Sequence, residues 1–288
     1  MKKLAVGIIT YNRPNELKRA LDSCFENGIK NPEDIIVWDN HSKKTLSLKN
    51  EEICNDLGVR YYFSSSNLGV AGGRNKIWDL DDSDYVFFLD DDAIISSKDF
   101  FKNIVEYMES NPIVGAASVN IDEPETGVDH NSKERKQDGD KIVTLAYIGG
   151  AHILRRHAYP MKRLYPNNLI FGSEELYASL VYWQEGYEVR EISKLNVTHL
   201  PKKQIVSYGK ERDLCIIVNS YIVKKMLYPK YMRIILKCLY CIRLYKNKID
   251  VLDANRTLKS RKNERTLYKI RLKTIMYLMK LFGVRSLI

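Results

Sequence analysis

The sequence predicts an α/β protein built on a mostly parallel, helix-covered sheet. Three observations lead to this fold class. Short apolar segments alternate with segments of helical spacing, which is typical of strand–helix–strand units. The apolar segments are continuous, as in strands buried on both faces. Polar residues follow directly after several of these segments, at the carboxyl edge where such sheets bind ligands.

The amino-terminal part supplies the first strands and helices. An apolar strand at 4–10 leads through the turn YNRPN into a helix at 16–25, with Pro14 in a tolerated first-turn position and Asn27-Gly28 as the stop. The elements that follow are a strand at 34–38, a helix at 46–57, a strand at 59–63 and a helix near 75–80. This alternation indicates a parallel sheet.

The stretch YVFFLDDDAII at 85–95 fuses a buried strand to three consecutive aspartates. Side-chain alternation sends Asp90 and Asp92 to one side and Asp91 to the other. The outer pair can share a hard divalent ion such as Mg²⁺ or Mn²⁺, with phosphate oxygens completing the shell. The alternative is a loop of solvated acids or a helix N-cap.

The second half continues the pattern with an insertion. Its elements are a helix at 97–110, a strand at 113–119, a polar loop or hairpin at 122–141, a strand at 142–148, a helix at 171–186 with Ser173 as N-cap, and a strand at 187–192. Gly149, Gly150 and Ala151 form a small-residue segment that can pass close to a ligand.

A glycine cluster occurs in NLGVAGGRN at 67–75. Its amides at the start of the next helix could face a phosphate, or the glycines could form a tight turn packed beneath a strand. The segment matches neither GxxxxGK[ST] nor GxGxxG, so neither of those nucleotide-binding loops is present.

Basic charge is concentrated at the carboxyl end. Residues 221–288 contain 18 Lys and Arg against 3 Asp and Glu, so this region carries +15 and residues 1–220 carry −5 of the overall +10. Segments at 231–245 and 266–282 combine helical apolar spacing with frequent cations. This suits helices lying on an anionic membrane surface, or a helical bundle packed on the catalytic domain or on a second subunit.

Neither a signal peptide nor a membrane-spanning segment is expected, because no apolar run is long enough. The protein is therefore expected in the cytoplasm, either free or peripheral on the inner face of the cell membrane. The five cysteines are interpreted as buried thiols of a reducing compartment, although Cys238 and Cys241 are separated by two residues. The charge comes with no nucleic-acid-binding motif, so nucleic acid is not an expected partner.

Seven motifs in order resemble glycosyltransferase family 2, whose members are inverting enzymes of the GT-A fold, nearest to the rhamnosyltransferase-like and galactofuranosyltransferase-like branches. They are TYNRP (10–14), WDNHS (38–42), NLGVAGGRN (67–75), FLDDDA (88–93), GGAHILRR (149–156), FGSEELYASLVYWQEGY (171–187) and THL (198–200). The resemblance spans about residues 4–223. It implies a GT-A domain at 1–220 followed by basic amphipathic helices at 221–288.

The resemblance also implies where the sugar donor, a UDP- or dTDP-sugar, lies. Residues expected beside the base, ribose and diphosphate are Thr10, Tyr11, Arg13, Asn67, Gly69, Asp90 and Asp91, with Asp39 accepting a hydrogen bond from the base and Arg74 contacting the diphosphate. Asp90 and Asp92 resemble the outer aspartates that hold the Mn²⁺ or Mg²⁺ ion, and His199 resembles the histidine that completes the metal site.

Glu174 and Glu175 match the acidic pair that supplies the general base in this family. Glu175 is the predicted base and Glu174 the alternative, although the family often has Glu-Asp here, one methylene shorter. Displacement at an anomeric carbon requires a base for the acceptor hydroxyl and charge neutralisation at the leaving diphosphate. The alternative interpretation is that both acids only complement the helix dipole.

The predicted function is therefore metal-dependent inverting transfer of a hexosyl group to a glycan or lipid-linked saccharide in bacterial cell-surface polysaccharide synthesis. Homo-oligomerisation through the carboxyl-terminal helices is an open alternative for the basic region. Two other functions are weighed. A non-catalytic sugar-binding module is expected to lack the acid pair or the metal aspartates, and a nucleotidyltransferase is expected to carry a Gly-rich, Lys-bearing segment near the first strand, which YNRP lacks.

Overall fold

The computed structural model describes residues 3–124, 127, 134–167, 169, 172–200, 209–261 and 266–287. Strands are β1 Leu4–Thr10, β2 Ile35–Asp39, β3 Arg60–Phe63, β4 Tyr85–Asp90, β5 Ala93–Ile95, β6 Val114–Asp122, β7 Arg135–Asp138, β8 Lys141–Thr144, β9 Ala151–Arg155 and β10 Glu188–His199. Helices are α1 Pro14–Glu26, α2 Lys44–Asp56, α3 Gly69–Leu80, α4 Phe100–Ser110, α5 Glu174–Gln184, α6 Gly209–Leu227, α7 Arg233–Lys246, α8 Val251–Ser260 and α9 Leu272–Phe282.

These strands form one sheet in the order β3-β2-β1-β4-β9-β6-β10-β8-β7, with β5 paired to β10. The first four strands are parallel, as the sequence predicts. The α/β class is confirmed, but the sheet is mixed because β9 runs antiparallel between β4 and β6. The predicted strand at 142–148 ends at Thr144, and residues 145–150 leave the sheet before β9 begins.

Apolar side chains fill both faces of the sheet because successive strand residues point in opposite directions. In β4, Val86 and Phe88 join the core on the side of α3 and α5, whereas Phe87 and Leu89 join the core on the side of α1 and α4. Asp90, the last residue of the strand, therefore follows Phe88 toward the α3 side. This alternation decides which helices the acidic residues meet.

Helix α3 begins at Gly69, six residues earlier than predicted, so the glycine cluster lies inside a helix. A Cβ atom at Gly73 would lie 2.9 Å from Cδ1 of Ile9 in β1. The glycine thus lets the helix approach the strand closely. The segment is helical, so the tight turn considered for it is not present.

The carboxyl-terminal helices share a hydrophobic core with the sheet. Val181 of α5, Val223 of α6, Leu236 of α7 and Leu278 of α9 belong to one buried cluster. Helix α6 runs without a break through residues 220 and 221, between which the predicted domain boundary lies. Within the described parts of the chain, no helix has both the length and the hydrophobicity to cross a membrane.

Two sequence expectations about local structure are wrong. Cys24 and Cys54 are buried, but Cys238 and Cys241 are exposed on α7. Ser173 precedes α5 but does not cap it, because its backbone is left-handed (φ 69°) and its hydroxyl donates to the carbonyl of Ile216 in α6. The predicted hairpin insertion is present as β7 and β8; residues 125–126 and 128–133 lie outside the described residues, as does Phe171 of the motif at 171–187.

Candidate active site

A cavity of about 810 Å³ opens at the carboxyl ends of β1 and β4. These strands are parallel neighbours with Ile9 opposite Asp90, so the residues that follow, Thr10 and Asp91, also meet. The cavity is lined by twelve of the thirteen predicted site residues, and Asp39 is the one that does not contribute to it. The twelve are Thr10, Tyr11, Arg13, Asn67, Gly69, Arg74, Asp90, Asp91, Asp92, Glu174, Glu175 and His199.

The aspartate triplet is held by side chains of the segment after β1. The hydroxyl of Thr10 donates to Oδ2 of Asp91 at 2.8 Å, and Nη1 of Arg13 donates to Oδ1 of Asp91 at 2.9 Å and to Oδ2 of Asp92 at 2.6 Å. Burial raises the pKa of Asp91 to about 7, although the charge of Arg13 opposes this rise. Asp91, held by both Thr10 and Arg13, therefore anchors the turn that carries the triplet.

Strand β5 places His199 beside the triplet. It pairs antiparallel with β10 so that His199 lies opposite Ala93, next to Asp92. Nε2 of His199 lies 3.1 Å from Oδ1 of Asp92, and Nδ1 donates to Oε2 of Glu123 at 2.8 Å. His199 therefore lies between the carboxylates of Asp92 and Glu123.

Asp90, Asp92 and His199 together could hold a metal ion. One ligand atom from each of these residues lies within 4.8 Å of the other two. Two carboxylate oxygens and one imidazole nitrogen suit Mn²⁺, which accepts both oxygen and nitrogen ligands. Glu123 fixes Nδ1 of His199 as the donor, so that Nε2 is the nitrogen directed at the ion; such carboxylate–histidine pairs are usual at metal sites.

The pKa values at this cluster reflect burial and the contacts between the acids and the histidine. Burial raises the pKa of Asp90 to about 6, against the effect of Arg74. Burial alone would lower the pKa of His199, but the hydrogen bond and charge of Asp92, together with the bond to Glu123, raise it to about 9. A concentration of carboxylates that the protein compensates only in part fits the binding of a divalent cation.

On the opposite side of the cavity, Arg74 connects the acidic pair of α5 to Asp90. Its guanidinium lies 3.3 Å from Oε1 of Glu175, 3.7 Å from Oε1 of Glu174 and 3.2 Å from Oδ1 of Asp90. It also donates to the carbonyl of Gly149 at 2.8 Å. Arg74 thus lines the cavity and binds protein oxygens with its guanidinium, and its contact with the diphosphate stays a prediction.

The two glutamates occupy different environments. Glu174 is buried, and its Oε2 has no hydrogen-bond partner among the described residues. Burial, followed by the charge of Glu175, raises the pKa of Glu174 to about 8, so Glu174 is mainly protonated at neutral pH. The side chain of Glu175 remains 18% exposed toward the cavity.

The segment Gly149–Gly150 forms the floor beneath Glu175. A Cβ atom at Gly149 would lie 2.1 Å from Oε1 of Glu175, so only glycine leaves room for the carboxylate. The carbonyl of Gly149 also accepts from Nδ1 of His152 at 2.9 Å. His152 is fully buried, stacks on Tyr147 and lies 3.5 Å from the hydroxyl of Tyr165.

Asp39 differs from the sequence expectation. It is fully buried and accepts from the backbone of Ser42 at 2.7 Å, from Asn50 at 2.7 Å and from Tyr61 at 2.9 Å. These three donors hold the carboxylate in place outside the cavity lining, and the hydrogen bond of Asp39 to a nucleotide base stays a prediction. The next residue, Asn40, lines the cavity instead and bonds to Asn67 at 3.0 Å.

Several residues of the site were not found from the sequence. Arg212 and Ile216 reach the cavity from α6, and Tyr147 reaches it from the segment after β8. Glu123, at the end of β6, contacts His199. Tyr147 and His152 lie in or next to the motif GGAHILRR, which could have drawn attention to them; the other three carry no sequence signal that we recognise.

Comparison with known proteins places this site in a family. The model of the family described as "Glycosyl transferase family 2" matches residues 5–160, slightly more than half of the chain. The matched part contains the aspartate triplet and the small-residue segment at 149–151, but neither Glu175 nor His199. The predicted family and the glycosyltransferase class are confirmed.

Two curated relatives illustrate the range of similarity. An uncharacterised protein of Haemophilus influenzae is 27% identical over 162 residues, which are 53% of this chain and 86% of the relative. A GalNAc(5)-diNAcBac-PP-undecaprenol beta-1,3-glucosyltransferase of Campylobacter jejuni is 32% identical over 93 residues, 32% of this chain and 30% of the relative. The second match therefore covers less than a third of either protein.

Solved structures share the fold at low sequence identity. GalNAc-T7, crystallised with UDP, GalNAc and Mn²⁺, superposes with a TM-score of 0.66 at 14% identity and covers 97% of this chain but 56% of its own. The mannosyltransferase PcManGT of Pyrobaculum calidifontis, crystallised with GDP-Man and Mn²⁺, gives 0.62 at 16% identity, covering 99% and 85%. This similarity confirms the GT-A fold.

Proposed function

The chain belongs to glycosyltransferase family 2, and we propose that it is a metal-dependent inverting enzyme that moves a hexosyl group from a UDP- or dTDP-sugar to a glycan acceptor. The observation that carries the proposal is the convergence of two clusters on one cavity. Asp90, Asp92 and His199 lie on one side, Glu175 lies on the other, and Arg74 connects them. The structures with bound UDP or GDP-Man and Mn²⁺ support the same class of donor.

Asp90, Asp92 and Nε2 of His199 would hold the divalent ion. When bound, the ion would neutralise the negative charge that develops on the leaving nucleoside diphosphate. Arg13 offsets part of the negative charge of Asp91 and Asp92 and so keeps the triplet compact before the donor binds. Thr10, Tyr11, Asn67 and Gly69 border the space that we assign to the nucleotide.

Glu175 is the proposed general base. Its carboxylate takes the proton of the acceptor hydroxyl while the acceptor oxygen bonds to the anomeric carbon and the bond from that carbon to the diphosphate breaks. The choice of Glu175 over Glu174 is supported by their environments, because Glu175 opens to the cavity whereas Glu174 is buried and holds its proton at neutral pH. Arg74, whose Nη1 lies 3.3 Å from Oε1 of Glu175, fixes the orientation of this carboxylate.

The acceptor is proposed to be a lipid-linked saccharide of bacterial cell-surface polysaccharide synthesis. The name of the Campylobacter jejuni relative specifies an undecaprenol-linked acceptor, and the basic carboxyl-terminal helices would suit work at a membrane surface. The protein would then act on the cytoplasmic side, where nucleotide sugars are present.

A panel of UDP- and dTDP-sugars tests the proposal. Hydrolysis of one donor by the full chain should require Mn²⁺ or Mg²⁺ and stop with a chelator. Asp92→Asn should abolish it, whereas Asp99→Asn, a left-handed residue before α4 outside the cavity, should not. Donor binding without turnover would instead support a binding module, and release of pyrophosphate from a nucleoside triphosphate and a sugar phosphate would support a nucleotidyltransferase.

A further inference from the structure

Helix α7 carries apolar side chains on two faces. The inner face packs on the rest of the protein through Leu236, Tyr240 and Leu244, all of which are buried. Tyr240 stacks on Tyr221 of α6, with ring centroids 4.4 Å apart and an angle of 18° between the rings. The inner face thus attaches the helix to the protein, and the opposite face does not take part in this contact.

The outer face of α7 is apolar and exposed. Its apolar side chains, with their exposed fractions, are Ile234 (78%), Ile235 (52%), Ile242 (46%) and Tyr245 (86%), with the exposed Cys238 and Cys241 between them. Tyr231 (66%), two residues before the helix, continues this surface. At 3.6 residues per turn, these positions fall within an arc of about 120° around the helix. We call this surface, from Tyr231 to Tyr245, the outer face of α7.

Cations border this arc. Helical geometry places Lys237 along one edge and Lys246 along the other, and both are exposed. Residues 221–249 contain no Asp or Glu, and residues 221–288 contain 18 Lys and Arg against 3 acids. The surface is thus an apolar strip with positively charged borders.

We propose that the outer face of α7 docks on an anionic lipid bilayer. The apolar strip would enter the boundary between headgroups and acyl chains, and Lys237 and Lys246 would extend along it to the anionic headgroups. Charge complementarity favours lipid over a second copy of this chain, because pairing two such faces would bring four cations together without an acid to balance them.

Helix α7 is connected to the cavity through α6. Helix α6 contributes Arg212 and Ile216 to the cavity and Tyr221 to the contact with α7. Five residues separate Ile216 from Tyr221, which is roughly 7.5 Å along a helix. Docking would therefore hold the cavity close to the membrane, and this consequence, unlike the docking itself, rests on the proposed lipid-linked acceptor.

Native cysteines allow a direct test with the full chain. Cys238 and Cys241 are exposed in the middle of the strip, whereas Cys24 and Cys54 are buried and report unfolding. Modification by a water-soluble maleimide should be slowed about tenfold at Cys238 and Cys241 by vesicles of phosphatidylglycerol and phosphatidylcholine in equal parts, and hardly at all by phosphatidylcholine alone. Equal modification rates with and without anionic vesicles would overturn the proposal.

Co-sedimentation with the same vesicles compares the binding of matched variants with that of the wild type. Ile234→Glu combined with Ile242→Glu should reduce binding by at least about tenfold, because both side chains already face solvent and the core is untouched. Leu48→Glu, at a 48% exposed residue of α2, should bind as the wild type does. Lys237→Gln with Lys246→Gln should remove most of the preference for anionic lipid.

Self-association through the outer face of α7 would give a different result in the thiol experiment. Protection of Cys238 and Cys241 that grows with protein concentration in the absence of vesicles would identify a second copy as the occupant and overturn the proposal. Donor hydrolysis measured without lipid separates the two ideas: its loss would count against the proposed function only, and vesicle binding would still be decided by the thiol experiment.

Discussion

Nη1 of Arg74 lies 3.3 Å from Oε1 of Glu175, although 101 residues separate them in the chain. The same guanidinium bonds to Asp90, so one buried cation connects the proposed base to the proposed metal site. Because the guanidinium is buried among these acids, its removal leaves carboxylates together without compensation. The arrangement makes Arg74 the residue on which both halves of the site depend.

Arg74→Met should lower the free energy of unfolding by about 3 kcal/mol and the transfer rate by at least about a hundredfold. Arg74→Lys keeps the charge but loses the planar fork, so it should recover more of the stability than of the rate. Denaturant unfolding and single-turnover transfer measure the two effects. An Arg74→Met protein with wild-type turnover would show that the connection has no function.

Gly149→Ala should displace Glu175. The added Cβ would lie 2.1 Å from Oε1 of Glu175, so the carboxylate must move, and we expect the transfer rate to fall by about a hundredfold. Binding of UDP with Mn²⁺ should change little, because Asp90 and Asp92 are not displaced. Gly150→Ala is the control, since its Cβ would meet Cδ1 of Ile121 at 3.2 Å and Oδ2 of Asp90 at 3.4 Å, and neither contact displaces Glu175.

Glu123→Ala should lower the affinity of the proposed site for Mn²⁺, although Glu123 is not itself a proposed ligand of the ion. Loss of the bond to Nδ1 of His199 should lower the affinity for Mn²⁺ by about 10- to 100-fold. Titration with Mn²⁺ in the presence of UDP measures this, and Asp122→Asn, on the exposed neighbour, serves as the control. Unchanged affinity in Glu123→Ala would mean that His199 does not bind the ion.

His152 should make the protein sensitive to acid. Burial, with a smaller effect of Arg74, holds the pKa of His152 well below 6.5, so the unfolded chain binds a proton below about pH 6.5 that the folded protein excludes. Stability should therefore fall as the pH drops below this value, by up to about 1.4 kcal/mol per pH unit from this group. His152→Phe should show a shallower pH dependence in denaturant unfolding; an identical slope would contradict this role.

Much of the site was predictable because consecutive residues reach the edge of the sheet together. The apolar run before Asp90 identifies β4, and the register of parallel strands then brings Thr10 to Asp91. Strand β9 was missed because it is only five residues long and contains His152 and Arg155, both of which are buried by partners distant in sequence.

Other features depend on contacts that no local pattern encodes. Asp39 is occupied by donors from α2 and β3, so its burial could not be inferred from WDNHS. The early start of α3 was hidden because its glycines resemble a turn, and they serve instead to bring the helix close to Ile9. Arg212 reaches the cavity from a helix beyond the matched motifs.

The most direct test of the account compares two adjacent substitutions in the full chain. Transfer rates and the Kd for UDP with Mn²⁺ should be measured for Glu175→Gln and Glu174→Gln. We predict that Glu175→Gln lowers the rate by about a thousandfold or more with little change in Kd, whereas Glu174→Gln, which replaces a group already neutral, keeps most of the activity. Wild-type turnover in Glu175→Gln would contradict the central claim.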